Sequence, residues 1–188
     1  MTVHRRYTSA DLDSLPDIPG VRYEIVDGEL SVSKQPTWEH ETAVHGVYDA
    51  LAFWSRANGS GYARQGPGLV FAEEDDVVPD VIWIRRGRMA GALDRSHHLS
   101  VAPDLVVEVL SPGAANERRA REIKLDLYSR RGVQEYWIVD WQLHTVQIYR
   151  RHEQALTLAS TAVDGDTLTS PLLPGFSLKV DDIWEPTS

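Results

Sequence analysis

Asp104-Leu-Val-Val-Glu-Val-Leu110 opens the stretch from Pro103 to Asp140 around which this chain is organised. It is an apolar run of strand length that carries two acids. Successive strand side chains point to opposite faces, so Asp104, Val106, Glu108 and Leu110 share one face and Leu105, Val107 and Val109 the other. Glu108 therefore sits among apolar neighbours, where a carboxylate is costly unless it is paired, hydrogen-bonded or bound to a metal. Whatever compensates Glu108 is the clue to what the chain does.

The residues that follow offer a partner. Ser111-Pro-Gly113 reads as a turn and Ala115 to Arg131 as a helix stopped by Gly132. Ala120, Ile123, Leu127 and Tyr128 mark its inward stripe, and Lys124 lies on that stripe, four residues from both Ala120 and Tyr128. An inward lysine one helix after an inward glutamate answers the burial of both. Beyond Gly132, Val133–Trp141, Thr145–Arg150 and Ala155–Ala159 read as strands, and the segment from Asp164 onward as a strand or tail that folds back.

Upstream, Thr8 to Leu15 reads as a capped helical turn. Arg22 to Ser33 reads as a hairpin about Asp27-Gly28, a pair suited to a type I′ turn, with Glu24 between apolar positions of its first arm. Pro36 to Asn58 is the first long helix. Its buried stripe of Ala43, Val44, Val47, Leu51 and Trp54, extended back one turn, passes through His40. Leu69–Phe71 and Val77–Ile84 read as strands joined by Glu73-Glu-Asp-Asp76, an acidic connection read as a solvated turn. Asp80 then falls on an apolar strand. Arg85 to Ser100 reads as a loop or a short helix, with His97-His98 on an exposed loop.

Composition bounds the alternatives. The 188 residues fit one domain spanning 1–188, with 42% hydrophobic and 25% charged residues as in ordinary globular proteins. The net charge of −9 removes any general attraction to nucleic acid, so such binding needs a local basic patch; the arginines of the second helix are the candidates. With no cysteine, disulfides, thiolate metal sites and cysteine nucleophiles are excluded. No run approaches the roughly 20 apolar residues of a membrane helix. Met1 to Tyr7 has no apolar run behind it, as a secretory leader would, so a cytoplasmic setting is expected.

Asp80, Glu108 and Lys124, each set into an apolar element, can converge at one sheet edge. Two carboxylates suit Mg²⁺ or a similar hard cation, and a nearby lysine suits the charge that develops in phosphodiester cleavage. The competing readings are a structural Glu108–Lys124 ion pair and, for the whole chain, a catalytically silent module used in binding or assembly. No phosphate-cradling glycine loop is present, which disfavours other phosphate-ester chemistry. Asp104, at the strand entrance, is read as structural.

Val78-Pro-Asp80, Asp104-Leu-Val-Val-Glu-Val-Leu-Ser-Pro112, Lys124 with Tyr128, and Gly132-Val-Gln-Glu-Tyr-Trp-Ile-Val-Asp140 together resemble the bacterial Uma-type restriction endonuclease family of the PD-(D/E)XK superfamily. Tyr23-Glu-Ile-Val-Asp-Gly-Glu29 and His40 match it too, so the resemblance runs from about Tyr23 to Tyr149. It implies an α+β (α/β) core, a mixed sheet flanked by helices with an N-terminal β-hairpin. It further implies a Mg²⁺- or Mn²⁺-dependent DNA endonuclease with Asp80, Glu108 and the Val109 carbonyl as metal ligands; cutting duplex DNA takes two such sites, so a homodimer is expected. The superfamily's lysine normally sits two residues after the glutamate, where this chain has Leu110; here it is Lys124 on the next helix. Glu24 resembles a second metal ligand or water-orienting acid, and His40 a phosphate contact or proton carrier.

Overall fold

In the computed structural model, which describes residues 5–184, the chain starts with a short helix, α1 (Ser9–Leu12), whose Asp11 carboxylate accepts the Thr8 N–H at 2.9 Å. Residues 1–4, the beginning of the segment read for a leader, lie outside the described residues, as do 185–188. Strands β1 (Arg22–Val26) and β2 (Glu29–Ser33) pair in register from Val26↔Glu29 outward. Asp27 and Gly28 both take positive φ, 51° and 74°, as a two-residue type I′ turn requires.

Helix α2 (Trp38–Asn58) is capped by Thr37, whose side chain accepts the His40 N–H, and ends on Gly59 in the left-handed conformation. Ala43, Val44, Val47 and Leu51 are buried as expected, and His40 shares their face. After it come β3 (Gly61–Gln65), β4 (Leu69–Ala72), β5 (Asp75–Val77), β6 (Val81–Arg85), a single 3₁₀ turn (Arg86–Arg88) and β7 (Leu105–Val109).

The strand expected over Val77–Ile84 is two strands in different sheets. β5 joins β2, β1 and β4 in a four-stranded sheet, whereas β6 joins the large one, with Val78–Asp80 between them. Pro79 has no N–H to give a ladder, so the break falls there. The acidic connection also differs from the expectation. Glu73 and Glu74 are an exposed turn, but Asp75 is a strand residue with no solvent exposure, held by Arg130 and Arg131.

The second long helix is a composite. α3 (Ala114–Arg118) runs into a π-helical segment (Arg119–Lys124) and then α4 (Leu125–Arg131), closed by Gly132 at φ 89°. Strands β8 (Glu135–Asp140), β9 (Thr145–His152) and β10 (Ala155–Val163) follow, then a small pair, β11 (Thr167–Leu168) and β12 (Leu178–Lys179), and a last turn, α5 (Asp181–Trp184).

The large sheet has the order β10-β9-β8-β7-β6-β3 and is mixed: β7 and β8 are parallel, the other pairs antiparallel. A parallel pair needs a crossover, and the composite helix provides it. Its two faces bury separate cores. Leu105, Val107 and Val109 pack with α2, α5 and the C-terminal segment; Val106 and Leu110 pack with Ala120, Leu127 and Tyr128 of the crossover. The alternation read from sequence therefore holds, and it sends Glu108 to the crossover side. Gly46 of α2 lets α5 approach: a Cβ there would lie 2.8 Å from the Ile183 carbonyl oxygen. Among the described residues no helix is long and apolar enough to cross a membrane.

Candidate active site

Val81 is paired with Val107 in the antiparallel β6–β7 ladder, so Asp80, just before β6, lies beside the C-terminal end of β7. Its carboxylate accepts the Val109 N–H at 2.9 Å and lies 3.3 Å from Arg22 Nη1. His40, at the first turn of α2, places Nε2 at 3.1 Å from the Val109 carbonyl oxygen and 3.5 Å from Asp80 Oδ2. Both contacts are buried.

Glu108 finds the compensation that its burial demands. Lys124 Nζ donates to both of its oxygens, at 2.8 and 2.9 Å, and the Tyr128 hydroxyl donates to Oε1 at 2.7 Å. Lys124 also reaches Glu24 Oε1 at 2.9 Å; the same oxygen accepts the Val78 N–H, and Arg119 Nη2 lies 3.3 Å from Oε2. Glu24, His40, Asp80, Glu108, Val109 and Lys124 all line one cavity of about 240 Å³. The six residues singled out from sequence thus come together, although they derive from a hairpin, two helices, β7 and the segment before β6; Asp80, read as a strand residue, lies just outside the strand. Asp104, read as structural, is buried elsewhere, accepting the Arg85 N–H and pairing with Arg88.

The local fields differ at each group. Burial lifts the Glu108 carboxyl to about 7; Lys124 opposes the rise, while Asp80 and Glu24 add to it. For Asp80 burial acts in the same sense, but His40, Lys124 and the Val109 N–H outweigh it and hold the group below its ordinary value. Burial would depress Lys124, yet Glu108 and Glu24 keep it above the ordinary lysine range and therefore charged. His40 is likewise raised on balance, burial being outweighed by Asp80, Glu41 and the Val109 carbonyl.

One contributor, Arg119, escapes a reading at 3.6 residues per turn. Arg119 and Lys124 are five residues apart, about 140° around an α-helix, yet both address Glu24. The π-helical segment, with its i→i+5 bonding, brings them to one side. Tyr128 lies on the legible stripe, but its hydroxyl contact to Glu108 is visible only in three dimensions. The basic character of the helix is largely used internally. Arg130 and Arg131 hold Asp75, Arg121 reaches Asp140, and Arg118 pairs with Glu122.

A hard divalent cation takes oxygen donors. Two carboxylates, Asp80 and Glu108, and the Val109 carbonyl supply them in one cavity, and a carbonyl oxygen touched by His40 retains a second lone pair. Among the described residues no group of three or more His, Cys, Asp and Glu side chains is disposed to hold a metal.

Comparison with solved structures finds a crystal structure of a putative nuclease belonging to DUF820 from Anabaena variabilis ATCC 29413. It is 17% identical, with a TM-score of 0.72 over 94% of this chain and 97% of that one. At that identity the likeness speaks for the fold alone: mixed sheets with flanking helices. The type IIG restriction endonuclease BpuSI overlaps 77% of this chain and 15% of its own at 13% identity and a TM-score of 0.42. No curated protein matches. The family model described as "Uma2: Putative restriction endonuclease" matches residues 9–181, nearly the whole sequence. The chain belongs to this Uma2 family of restriction-endonuclease-like nucleases.

Proposed function

We propose that this protein is a Mg²⁺- or Mn²⁺-dependent endonuclease that hydrolyses DNA phosphodiester bonds, with Asp80, Glu108 and the Val109 carbonyl holding the metal. The observation that carries the reading is the convergence of these three oxygen donors with Lys124 in a single cavity at the end of β7. A divalent cation bound there supplies polarisation of a phosphate oxygen and a water acidic enough to attack it.

The chain's own residues set up the rest. Glu24 and Glu108 orient the Lys124 ammonium, which stabilises negative charge developing on the phosphate or on the attacking hydroxide. His40 braces Asp80 and the Val109 carbonyl and is placed to carry a proton. Cutting both strands of a duplex needs two such sites, which a homodimer provides.

One observation favours a second reading. Glu108 is compensated by protein groups, Lys124 on both oxygens and Tyr128 on Oε1, as a structural ion pair in a catalytically silent binding module would be. Supercoiled plasmid incubated with Mg²⁺ or Mn²⁺ separates the two. The nuclease reading expects nicking or linearisation that Asp80→Asn and Glu108→Gln each abolish. Cleavage that survives both substitutions unchanged removes the assignment. No cleavage, together with no Mg²⁺-dependent rise in thermal stability, supports the silent module.

A further inference from the structure

Arg119 is more than the site's ion-pair network uses. Glu24 is already held by Lys124 and the Val78 N–H at 2.9 Å each, and Arg119 adds one longer contact of 3.3 Å. Its Nε is shut off from solvent and has no hydrogen-bond partner. A guanidinium offers five donors in a planar fork, of which this one, lining the cavity, gives a single hydrogen bond, from Nη2 to Glu24. The helix leaves α geometry over the six residues that begin at Arg119, and that departure brings Arg119 beside Lys124. A second guanidinium lines the same cavity. Arg22 shares a face of β1 with Glu24 and makes only 3.3 Å contacts, to Asp80 and to the Val78 carbonyl.

The charge balance of the cavity is unlike that of the chain. Arg22, Lys34, Arg119 and Lys124 line it against Glu24, Asp80 and Glu108, in a protein whose net charge is −9. This is where a polyanion is tolerated.

We propose that Arg119, assisted by Arg22, is a phosphate clamp that seats a nucleic-acid backbone phosphate in the cavity through the unused donors of its guanidinium. The clamp rests on the nuclease reading for its substrate class. It binds without metal, however, so it is measured separately from cleavage. Planar, bidentate recognition of phosphate is what arginine does better than lysine. Such a contact supplies affinity and register on the backbone, with no choice of sequence.

The experiment is fluorescence anisotropy of a labelled oligonucleotide, duplex and single-stranded, with the full chain in EDTA over a range of KCl. Wild type binds, with a negative slope of log K against log[salt]. Arg119→Gln binds on the order of tenfold more weakly, as expected for a lost charge-assisted hydrogen bond. It also lowers the slope by about 1, the signature of one phosphate contact. Arg119→Lys restores the slope and only part of the affinity. A merely structural arginine would move stability and leave the slope alone. If Arg119→Gln does not fold, Arg22→Gln carries the same expectation. Wild-type slope and affinity in a folded Arg119→Gln overturn the proposal, as does failure of wild type to bind either oligonucleotide. Loss of stabilisation by inorganic phosphate alone, with oligonucleotide binding unaltered, assigns the arginine to a small phosphate and overturns the backbone clamp. A protein that binds in this way but never cuts plasmid fails the nuclease reading and keeps the clamp.

Discussion

Arg130 donates to both carboxylate oxygens of Asp75, at 2.8 and 3.0 Å, and so ties the small sheet to the helix that carries Lys124. Arg131 contributes a second guanidinium, and the Asp27 N–H donates to the same carboxylate at 2.9 Å. The acid is fully buried while its two arginines keep partial contact with solvent. Glu24 belongs to the sheet that this cluster docks.

Asp75→Asn removes the charge and keeps the shape. Loss of one partner of a buried pair costs about 3 kcal/mol here, toward the low end because the arginines can turn to water; urea unfolding measures it. Burial raises the Asp75 carboxyl, but Arg130, the Asp27 N–H and Arg131 outweigh it and hold the group below its ordinary value. A depressed acid contributes its stability above the unfolded pKa of about 3.9 and loses it as pH falls through the folded one. The gap between wild type and Asp75→Asn should therefore be full near neutrality and close on acidification below about pH 4. A gap that widens in acid contradicts this.

Lys124 and Glu108 should behave as one unit in a double-mutant cycle. Lys124→Met takes the shared ammonium from two buried carboxylates, leaving Glu108 with Tyr128 and Glu24 with Arg119 and the Val78 N–H. Glu108→Gln leaves the ammonium only Glu24 as a charged partner. Each single change destabilises, the lysine change more, by about 3–5 kcal/mol. The double variant is less damaged than the sum, with a coupling of about 1–3 kcal/mol. Additivity within error would mean that the two groups do not feel one another.

Gly46→Ala tests the α2–α5 contact. In an exposed helix interior the change would help by about 1 kcal/mol. Here the new Cβ would meet Ile183 backbone atoms at 2.8–3.2 Å, which no side-chain rotation relieves. The expected outcome is a net loss of about 1–3 kcal/mol, read by thermal or urea unfolding.

Deleting Glu122, an exposed residue of the π-helical segment, should let the helix run as continuous α. Arg119 and Lys124 then lie four residues apart, about 40° around an α-helix, so both still face Glu24. Circular dichroism should show the fold retained, and the salt slope of oligonucleotide binding should stay at the wild-type value. A slope that falls as it does in Arg119→Gln would show that a shared helix face is not enough to place the arginine.

Much of this site was legible because strand alternation and the helical stripe are local. β7 sends Glu108 to one face by a period of two, and Lys124 falls on the stripe that meets that face. The failures are non-local. Asp75 stands in a run of four acids and looks solvated; its burial depends on arginines 55 and 56 residues away. The division of 77–84 between two sheets was signalled by Pro79 and overridden by the apolar residues around it. Arg119 was invisible because the helix does not keep the period by which it was counted.

The pairing of Glu24 with Lys124 makes the site an interlock. One acid comes from the small sheet, the other from the large one, and the ammonium that reads both comes from the crossover between β7 and β8. A chain whose hairpin has not docked, or whose hairpin has been clipped, still has Asp80 beside Glu108 but leaves Lys124 half held. Lys124 is held on both sides only after the last layer is in place.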